Sequence, residues 1–263
     1  MENLERAAHL SGLIQRRINK ERKYRTKTNF FEEYDDDTFI CRFRISKTSA
    51  KYILKKIETK IRSPTERNRA ISAAEILLLA LRFYASGSFL ICVADFCGVS
   101  VPSASRAVSK VSKAIAGLAP TFIKMPKTST ESESANRAFH QIAKFPKVVG
   151  CIDCTHIRIQ SPGGENAEIF RNRKGYFSIN VQAVCNANLE LTDLVFRWPG
   201  SAHDSNIFSN SRLKHRFEQN EFKKCFLLGD SGYGVSNYMM TPLLHPNTPA
   251  EKLYNEYQYS ELY

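Results

Sequence analysis

Hydrophobic and polar positions divide the chain into a first part with helical spacing and a second part with strand-like runs. Between residues 40 and 120, apolar residues recur three and four positions apart, as on the buried face of a helix. One such helix is predicted over 46–61. Another begins at Ser72, where Ser-Ala-Ala-Glu has the pattern of a capping box, and ends near Gly87. This part of the chain is therefore predicted to be helical throughout.

Two more helices are predicted on either side of a turn at Gly98. The apolar run from Phe89 ends there, and Ser100 followed by Pro102 is the pattern of a new helix, predicted over 103–116. A helix, a glycine turn and a second helix are typical of a helix-turn-helix, although an ordinary helical hairpin has the same pattern. In a helix-turn-helix, hydroxyl and basic side chains of the second helix would contact DNA phosphates and base edges. The side chains of this kind are Ser103, Ser105, Arg106, Ser109 and Lys110.

From Val148 onward the pattern is that of strands separated by turns. A helix is predicted from Asp204 to Phe217 and another from about Pro249. Three strands, a helix, two further strands and a last helix is the order of elements in a ribonuclease H-like domain, where the fourth strand lies beside the first. We therefore predict a mixed α/β fold, with this domain preceded by an all-helical region. The predicted strands are 148–159, 176–185, 191–198, 225–228 and one near 238–244.

The first predicted strand carries an acid within an apolar run, which we interpret as buried. This acid is Asp153, and burying an unpaired carboxylate costs several kcal/mol. Asp204 and Asp230 follow apolar runs of their own, and the predicted strand order brings Asp230 next to Asp153. Three acids at strand ends without Lys or Arg beside them indicate a divalent cation, because carboxylate oxygens suit Mg²⁺ or Mn²⁺. As alternatives, Asp204 and Asp230 could be a helix N-cap and a turn former. His156 and His203, close to these acids, could orient a ligand, contact phosphate or be structural.

The charge balance favours a polyanionic partner. The formal net charge is +12, and basic proteins gain affinity for nucleic acid by releasing condensed counterions. Within a predicted helix over 1–30, a basic tract fits a nuclear-import signal, a phosphate-contacting arm or a solvated helix face. The acids between Glu32 and Asp37 are predicted to form a linker. The basic tract comprises Arg16, Arg17, Lys20, Arg22, Lys23, Arg25 and Lys27.

Cysteine usage and hydropathy predict a soluble intracellular protein. The seven cysteines are scattered through apolar segments, which favours buried free thiols over disulfides. Cys151 and Cys154 form a C-x-x-C motif, but no second pair at zinc spacing accompanies it. No apolar run approaches the roughly 20 residues of a membrane span, and the first five residues are too acidic and polar for a signal peptide.

Four blocks of sequence resemble the motifs of PIF/Harbinger transposases and the nucleases derived from them. The first runs from Phe145-Pro146 through Asp153-Cys154-Thr155-His156-Ile157. The others are Asn-Arg-Lys-Gly-Tyr-Phe-Ser-Ile-Asn-Val-Gln at 172–182, Trp-Pro-Gly-Ser-Ala-His-Asp-Ser at 198–205 and Leu-Gly-Asp-Ser-Gly-Tyr at 228–233. The blocks stand in the family's order, and a weaker resemblance extends upstream through the helical region.

The resemblance implies a metal-dependent Asp-Asp-Glu nuclease that acts on DNA. It carries over Asp153, Asp204 and Asp230 as the acidic metal ligands. By strand topology, Asp153 and Asp230 are predicted to be the paired catalytic acids and Asp204 a further ligand. Phosphate contacts near the site are predicted at Arg171, Arg173 and Lys174, with exposed solubilising charge as the alternative. The implied cofactor is Mg²⁺ or Mn²⁺, the implied partners are DNA and a Myb/SANT-like DNA-binding protein, and the implied location is the nucleus, with the cytoplasm as a second one.

One departure from the family pattern leaves two hypotheses. The family's glutamate lies on the last helix, well beyond a Tyr-Asn pair that corresponds to Tyr254-Asn255, and the sequence stops at Tyr263 before that position. Glu256 and Glu261 are the alternatives within the chain, and Glu261 lies too early to align. The chain is expected either to cleave DNA phosphodiester bonds or to be a non-catalytic DNA-binding or adaptor protein of transposase descent. The predicted domains are a basic helix and acidic linker at 1–39, a helical DNA-contacting region at 40–140, and at 145–263 a nuclease core truncated before its last acidic helix is complete.

Overall fold

The chain divides into two compact units, Met1–Leu118 and Ala119–Tyr263. The structure is a computed structural model, and it describes residues 29–64 and 70–262. The predicted basic tract at 16–27 lies outside the described residues. The helix that precedes the sheet, Ser129–Ala143, belongs to the second unit. The prediction from the sequence instead included most of it in the helical region at 40–140. The three-part division at 1–39, 40–140 and 145–263 remains a prediction.

The described part of the first unit is helical, as predicted. The predicted capping box forms, because Ser72 Oγ accepts from the N–H of Glu75 at 3.2 Å and the Glu75 carboxylate accepts from the N–H of Ser72 at 2.8 Å. Gly87 ends that helix in the left-handed conformation, with φ of 57°. The helices are α1 (Phe30–Glu33), α2 (Asp36–Phe43), α3 (Lys47–Ile61), α4 (Ala73–Ser86), α5 (Leu90–Cys97) and α6 (Val101–Ala116).

The acidic stretch predicted as a linker is instead helical. Asp35 is the N-cap of α2, and its Oδ1 accepts from the N–H of Thr38 at 2.7 Å. Phe30, Phe39 and Phe43 are buried in the core of this unit. The acids lie in exposed first turns, where negative charge suits the helix dipole. The buried phenylalanines on either side of the acids therefore anchor this segment to the core.

The turn predicted between α5 and α6 is present. Gly98 is left-handed with φ of 67°, and Ser100 caps α6 by accepting from the N–H of Ser103. A capped glycine turn of this kind is shared by a helix-turn-helix and an ordinary helical hairpin, so both interpretations remain open. Among the described residues, no single helix is long and apolar enough to cross a membrane, although Leu90–Cys97 and Val101–Phe122 together meet that test by length and composition.

The second unit is built on a mixed five-stranded sheet in the order β3-β2-β1-β4-β5. β1 is antiparallel to β2 and parallel to β4, so the predicted contact between the first and fourth strands is confirmed. This arrangement, flanked by helices, is consistent with the predicted ribonuclease H-like fold. The single helix predicted from Asp204 to Phe217 is two shorter helices. The elements are α7 (Ala119–Phe122), α8 (Ser129–Ala143), β1 (Val148–Arg158), β2 (Ser178–Cys185), β3 (Leu191–Pro199), α9 (Asp204–Ser209), α10 (Arg212–Glu218), β4 (Phe226–Gly229), β5 (Met239–Met240) and α11 (Pro249–Leu262).

Two clusters of buried apolar residues fix the helices against this sheet. The larger joins the sheet to α9 and α10 through Ile152, Phe208 and Leu213. The smaller includes Phe139 of α8, with Tyr254 of α11 packed against it. Both clusters include residues of β1 and β4, so these two strands are held in place by the helices.

Candidate active site

Asp153 lies where β1 loses its neighbour β4. The two strands pair in parallel as far as Ile152 and Gly229, the last residue of β4. Ile152 is fully buried, whereas Asp153 is exposed, so the prediction of a buried carboxylate inside the strand is wrong. The reason is the shortness of β4, because in the described sheet β1 beyond Ile152 pairs only with β2.

Asp230 occupies the matching position on β4. It follows Gly229 directly, one residue beyond the last strand pair, so the predicted proximity to Asp153 follows from the register. Its Oδ1 accepts from the N–H of Gly232 at 3.0 Å. A Cβ on Gly232 would lie 3.0 Å from the same oxygen, so glycine gives this oxygen its space. Asp230 therefore forms the turn that the alternative interpretation predicted, and this turn fixes its carboxylate at the end of the strand.

Asp204 is held by a buried amide of the neighbouring strand. Its Oδ1 accepts from Asn180 Nδ2 at 2.9 Å, and the same Nδ2 donates to the carbonyl of Ala202 at 2.9 Å. Asn180 is fully buried on β2. The N-cap of α9 is His203, so Asp204 is the first residue of the helix and not its cap. Sequence reasoning did not identify Asn180, although it lies in the second family-like block.

The electrostatics of Asp153 reveal how closely the acids gather. Although the residue is exposed, its carboxyl is partly shielded from water, and this desolvation raises its pKa. The N–H of Cys154, 2.7 Å from Oδ1, opposes that shift, whereas the charges of Asp230 and Asp204 add to it. Among the described residues, no Lys, Arg or His forms an ion pair with any of the three acids. Negative charge is therefore concentrated here without a protein counter-charge.

The three carboxylates suit a divalent cation by donor chemistry and charge. Hard oxygen ligands are those preferred by Mg²⁺ and Mn²⁺, and a cation would relieve the repulsion at Asp153. Within 29–64 and 70–262, however, no group of three or more His, Cys, Asp or Glu side chains is already arranged to hold a metal ion. The three carboxylates are therefore suitable ligands for a divalent cation by their chemistry, but they do not form a ready-made coordination site.

Cys154 and Tyr233 complete the surroundings of the acids, and neither was predicted as a site residue. Cys154 Sγ lies 3.3 Å from Tyr233 Oη. Burial, together with Asp204 and Asp153, raises the pKa of Cys154 to about 12, so it stays a neutral thiol. The pKa of Tyr233 is also raised, first by burial and then by Cys154. The Gly-Tyr that ends the fourth family-like block is the signal that could have identified Tyr233.

His156 has a structural role. Its Nδ1 lies 3.1 Å from Ser178 Oγ, which also accepts from Asn172 Nδ2 at 3.0 Å. Asn172 and Ser178 are buried, and Asn172 Oδ1 accepts from the backbone N–H of Lys174 at 3.0 Å. This polar network fixes the loop that leads into β2.

That loop holds one predicted phosphate contact in place and leaves two available. Arg171 forms an ion pair with Glu168 at 2.7 Å, and its guanidinium stacks over Phe177 at 4.4 Å. Both contacts commit Arg171 to the loop itself. Arg173 and Lys174 are exposed, and no side chain of the described residues pairs with them. They are the better candidates for DNA contact.

On α6, the two basic residues predicted as DNA contacts also differ. Arg106 is exposed, and its guanidinium donates to Ser103 Oγ at 3.2 Å. Lys110 is half-buried, and its Nζ donates to the carbonyl of Arg62 at 2.9 Å. Lys110 therefore supports α3, whereas Arg106 remains available.

Helix α11 holds the end of β4. The fully buried Gln258 donates from Nε2 to the carbonyls of Gly229, at 3.1 Å, and Met240, at 2.9 Å. Asn255 bonds both backbone groups of Leu243 at 2.8 Å. These contacts position the strand end from which Asp230 follows. Glu256 on this helix is exposed, and the side chain of Glu261 lies outside the described residues.

Comparison with known proteins identifies relatives of this chain. Residues 152–260 match a family model described as DDE superfamily endonuclease. The human protein named "Putative nuclease HARBI1" is 34% identical over 235 residues, which cover 89% of this chain and 67% of that protein. The Arabidopsis thaliana "Protein ALP1-like" is 24% identical over 228 residues, covering 79% of this chain and 55% of the plant protein. No solved structure gives a significant match.

Proposed function

The chain belongs to the Harbinger transposase-derived nucleases and contains a DDE superfamily endonuclease region, and from this premise we propose that it cleaves DNA phosphodiester bonds with the help of Mg²⁺ or Mn²⁺. The observation that carries the proposal is the convergence of Asp153, Asp204 and Asp230 at the end of β4. Repulsion among their charges contributes to the raised pKa of Asp153, and the described residues supply no counter-charge. Carboxylates that repel one another destabilise the folded protein, and a cation bound among them would explain why they lie together.

The protein's own groups hold each acid in place. A backbone N–H fixes Asp153 and another fixes Asp230, while the amide of Asn180 fixes Asp204. Asp153 and Asp230, on adjacent strand ends, are the paired catalytic acids, and Asp204 is a further ligand. When bound, a divalent cation would lower the pKa of an attacking water and offset the developing charge on phosphate oxygens. Arg173 and Lys174 would bind the flanking phosphates as exposed point charges.

A plasmid assay tests the chemistry. We expect the protein to nick supercoiled DNA with Mn²⁺ or Mg²⁺ and not with EDTA. Asp153→Asn and Asp230→Asn should each reduce the rate by at least about 100-fold, the usual range for an acid or base that acts on the reacting atoms. Asp193→Asn is the matched control, because it makes the same change on β3 of the same sheet. Nicking that survives Asp153→Asn would contradict the site assignment.

Metal binding can be measured without cleavage. Because a ligand that binds only the folded state stabilises it by mass action, Mn²⁺ should raise the unfolding temperature of the unaltered protein. The increase should be smaller in Asp153→Asn and in Asp204→Asn, and unchanged in Asp193→Asn. If Mn²⁺ gives neither nicking nor stabilisation while DNA still binds, the chain is a non-catalytic DNA-binding protein, and the nuclease proposal is wrong.

We propose a second DNA contact at the helix-turn-helix pair. The capped turn between α5 and α6 and the exposed Arg106 support it. Arg106→Ala should weaken binding to duplex DNA and reduce its salt dependence, whereas Lys113→Ala, a matched loss of charge farther along the exposed side of α6, should have a smaller effect. Equal effects would assign the loss to net charge alone.

We also propose a nuclear location and a Myb/SANT-like partner, on the strength of the family resemblance. The basic tract at 16–27 would direct import. Replacing its seven basic residues by Gln in a fluorescent fusion should move the protein to the cytoplasm, and unchanged nuclear signal would refute this role. Binding to a purified Myb/SANT-like domain can be measured by calorimetry, and the absence of measurable binding would remove that partner.

A further inference from the structure

Residues with left-handed backbone crowd the end of the sheet opposite to the acids. β1 begins at Val148 and β4 at Phe226, and the two strands start side by side. Seven non-glycine residues in the described chain have positive φ, and five of them lie in the segments that lead to this end of the sheet. These five are Lys144, Lys147, Asn220, Lys223 and Lys224.

Lysine is an unexpected choice for such backbone. The left-handed conformation brings Cβ close to a carbonyl oxygen, so glycine and asparagine adopt it more readily than residues with long side chains. Lys147, Lys223 and Lys224 have φ of 61°, 43° and 61°. Lysine therefore stands at three positions where a smaller residue would suit the backbone better, which indicates a use for the side chains.

The same three lysines line one groove of about 540 Å³. All three are exposed. The groove also contains Phe217 and Tyr238, whose rings stack at 5.4 Å and make a rigid base for it. The three lysines therefore belong to the wall of a preformed depression.

The groove carries unbalanced positive charge. Lys223 Nζ donates to Ser129 Oγ at 2.7 Å, which orients the ammonium group without neutralising it. The acid in the lining, Glu218, is paired with Lys214 at 3.6 Å. Among the described residues, no carboxylate forms an ion pair with Lys147, Lys223 or Lys224. An anion is the ligand that this arrangement fits.

We propose that this groove binds phosphate groups of the DNA backbone. The inference rests on the proposed function, because it takes DNA as the ligand. Asp153 lies five positions after Val148 along β1, which is about 16 Å at a rise of roughly 3.3 Å per residue. The groove is thus a phosphate contact remote from the acids, and substitutions in it leave the carboxylates intact.

Anisotropy measurements on a labelled duplex, in EDTA and over a range of salt concentrations, test the binding. Replacing Lys147, Lys223 and Lys224 together by Gln should reduce the salt slope of log K by about 2–3, since each duplex phosphate contact contributes about 0.9. Affinity at low salt should fall by about 10–100-fold. The control replaces Lys51, Lys55 and Lys56, which are exposed on α3, by Gln with the same loss of charge. Equal losses in the two variants would overturn the proposal.

Asparagine substitutions at the three groove lysines separate a functional role from a structural one. The triple Asn variant should unfold at a higher temperature, because asparagine suits the left-handed backbone, and yet bind DNA as weakly as the Gln variant. A lower unfolding temperature, or unchanged DNA affinity, would refute the inference. Inorganic phosphate gives a further arm, and stabilisation by millimolar phosphate without any loss of duplex binding in the variants would assign the groove to a small anion. Since every binding measurement is made without metal, failure to nick DNA would count against the nuclease proposal alone.

Discussion

Two neighbouring amides on β2 should respond in opposite ways to replacement by apolar residues of similar size. Asn180 and Gln182 are both fully buried. Asn180 donates to Asp204 and to a backbone carbonyl, whereas both polar side-chain atoms of Gln182 lack a hydrogen-bond partner among the described residues. We expect Asn180→Leu to destabilise the protein and Gln182→Met to stabilise it.

The magnitudes follow from the contacts. A hydrogen bond to a charged group contributes about 1.5–3 kcal/mol and a neutral one about 1 kcal/mol. Asn180 Oδ1 has no partner among the described residues, and its removal recovers about 1 kcal/mol. Asn180→Leu should therefore lower the free energy of unfolding by about 2 kcal/mol. Gln182→Met removes two uncompensated polar atoms and should raise it by about 1 kcal/mol.

The chain contains a natural probe for this measurement. Trp198 is its single tryptophan and lies opposite Asn180 in the β2–β3 ladder. Its fluorescence in a urea titration reports the unfolding of the second unit, and an unchanged slope would confirm that only stability has altered. As a link to the site, Mn²⁺ should stabilise Asn180→Leu less than it stabilises Gln182→Met.

Equal destabilisation by the two substitutions would refute this reasoning. It would mean that Gln182 is satisfied by a bound water, or that Asn180 serves packing and not Asp204. The conservative change Asn180→Ser tests the second possibility, since it removes the reach to Asp204 while keeping a small polar residue. Its Mn²⁺ stabilisation should be as weak as that of Asn180→Leu.

Three further predictions concern the surroundings of the site. The pKa of Asp153 is raised, so its charged form is disfavoured in the folded state. Its destabilising effect is absent below the unfolded pKa, grows as the pH rises from the unfolded to the folded pKa, and is complete above the folded pKa. In metal-free urea titrations Asp153→Asn should therefore stabilise the protein more at pH 7 than at pH 3, and equal effects would contradict the argument. A Cβ on Gly200 would lie 2.3 Å from the buried hydroxyl oxygen of Ser178, whereas one on Gly234 would meet nothing within 4 Å. In urea denaturation, Gly200→Ala should therefore lower the free energy of unfolding by about 2–3 kcal/mol, and Gly234→Ala should leave it almost unchanged. The pKa of Cys154 is raised to about 12, whereas Cys92 is exposed. After thiol alkylation of the native protein at pH 8, mass spectrometry should therefore find Cys92 modified and Cys154 intact. Rapid labelling of Cys154 would show that its thiol is not buried as described.

The order of elements was sufficient to predict which strands meet. Acids at the ends of two apolar runs, together with the ribonuclease H-like order, place Asp153 beside Asp230, and the parallel pairing of Ile152 with Gly229 accounts for it. Exposure could not be predicted in the same way. Whether Asp153 is buried depends on where β4 ends, and a four-residue strand is set by its tertiary contacts more than by its own sequence.

The supporting residues were missed for a related reason. Asn180 acts on Asp204 through a contact between β2 and the start of α9, which depends on sheet register and helix position. Arg171 was predicted as a phosphate contact, yet it pairs with Glu168 across a short turn at Ala167–Phe170 that the sequence does not mark. A sequence shows which side chains carry charge, and the fold decides which of those charges are already paired.

The distribution of charge in the second unit explains why a cation and the lysine groove would act together. Phosphate that approaches Asp153, Asp204 and Asp230 meets repulsion unless a cation is bound, because no ion pair among the described residues neutralises these acids. The net charge of +12 attracts DNA to the protein but does not orient it. Exposed lysines at the other end of β1 and β4 would anchor the backbone where there is no such repulsion. Binding and cleavage would then depend on residues at opposite ends of β1 and β4. Replacing the acids should therefore abolish nicking and leave metal-free binding unchanged, whereas replacing the lysines should weaken binding and reduce nicking only through that weaker binding.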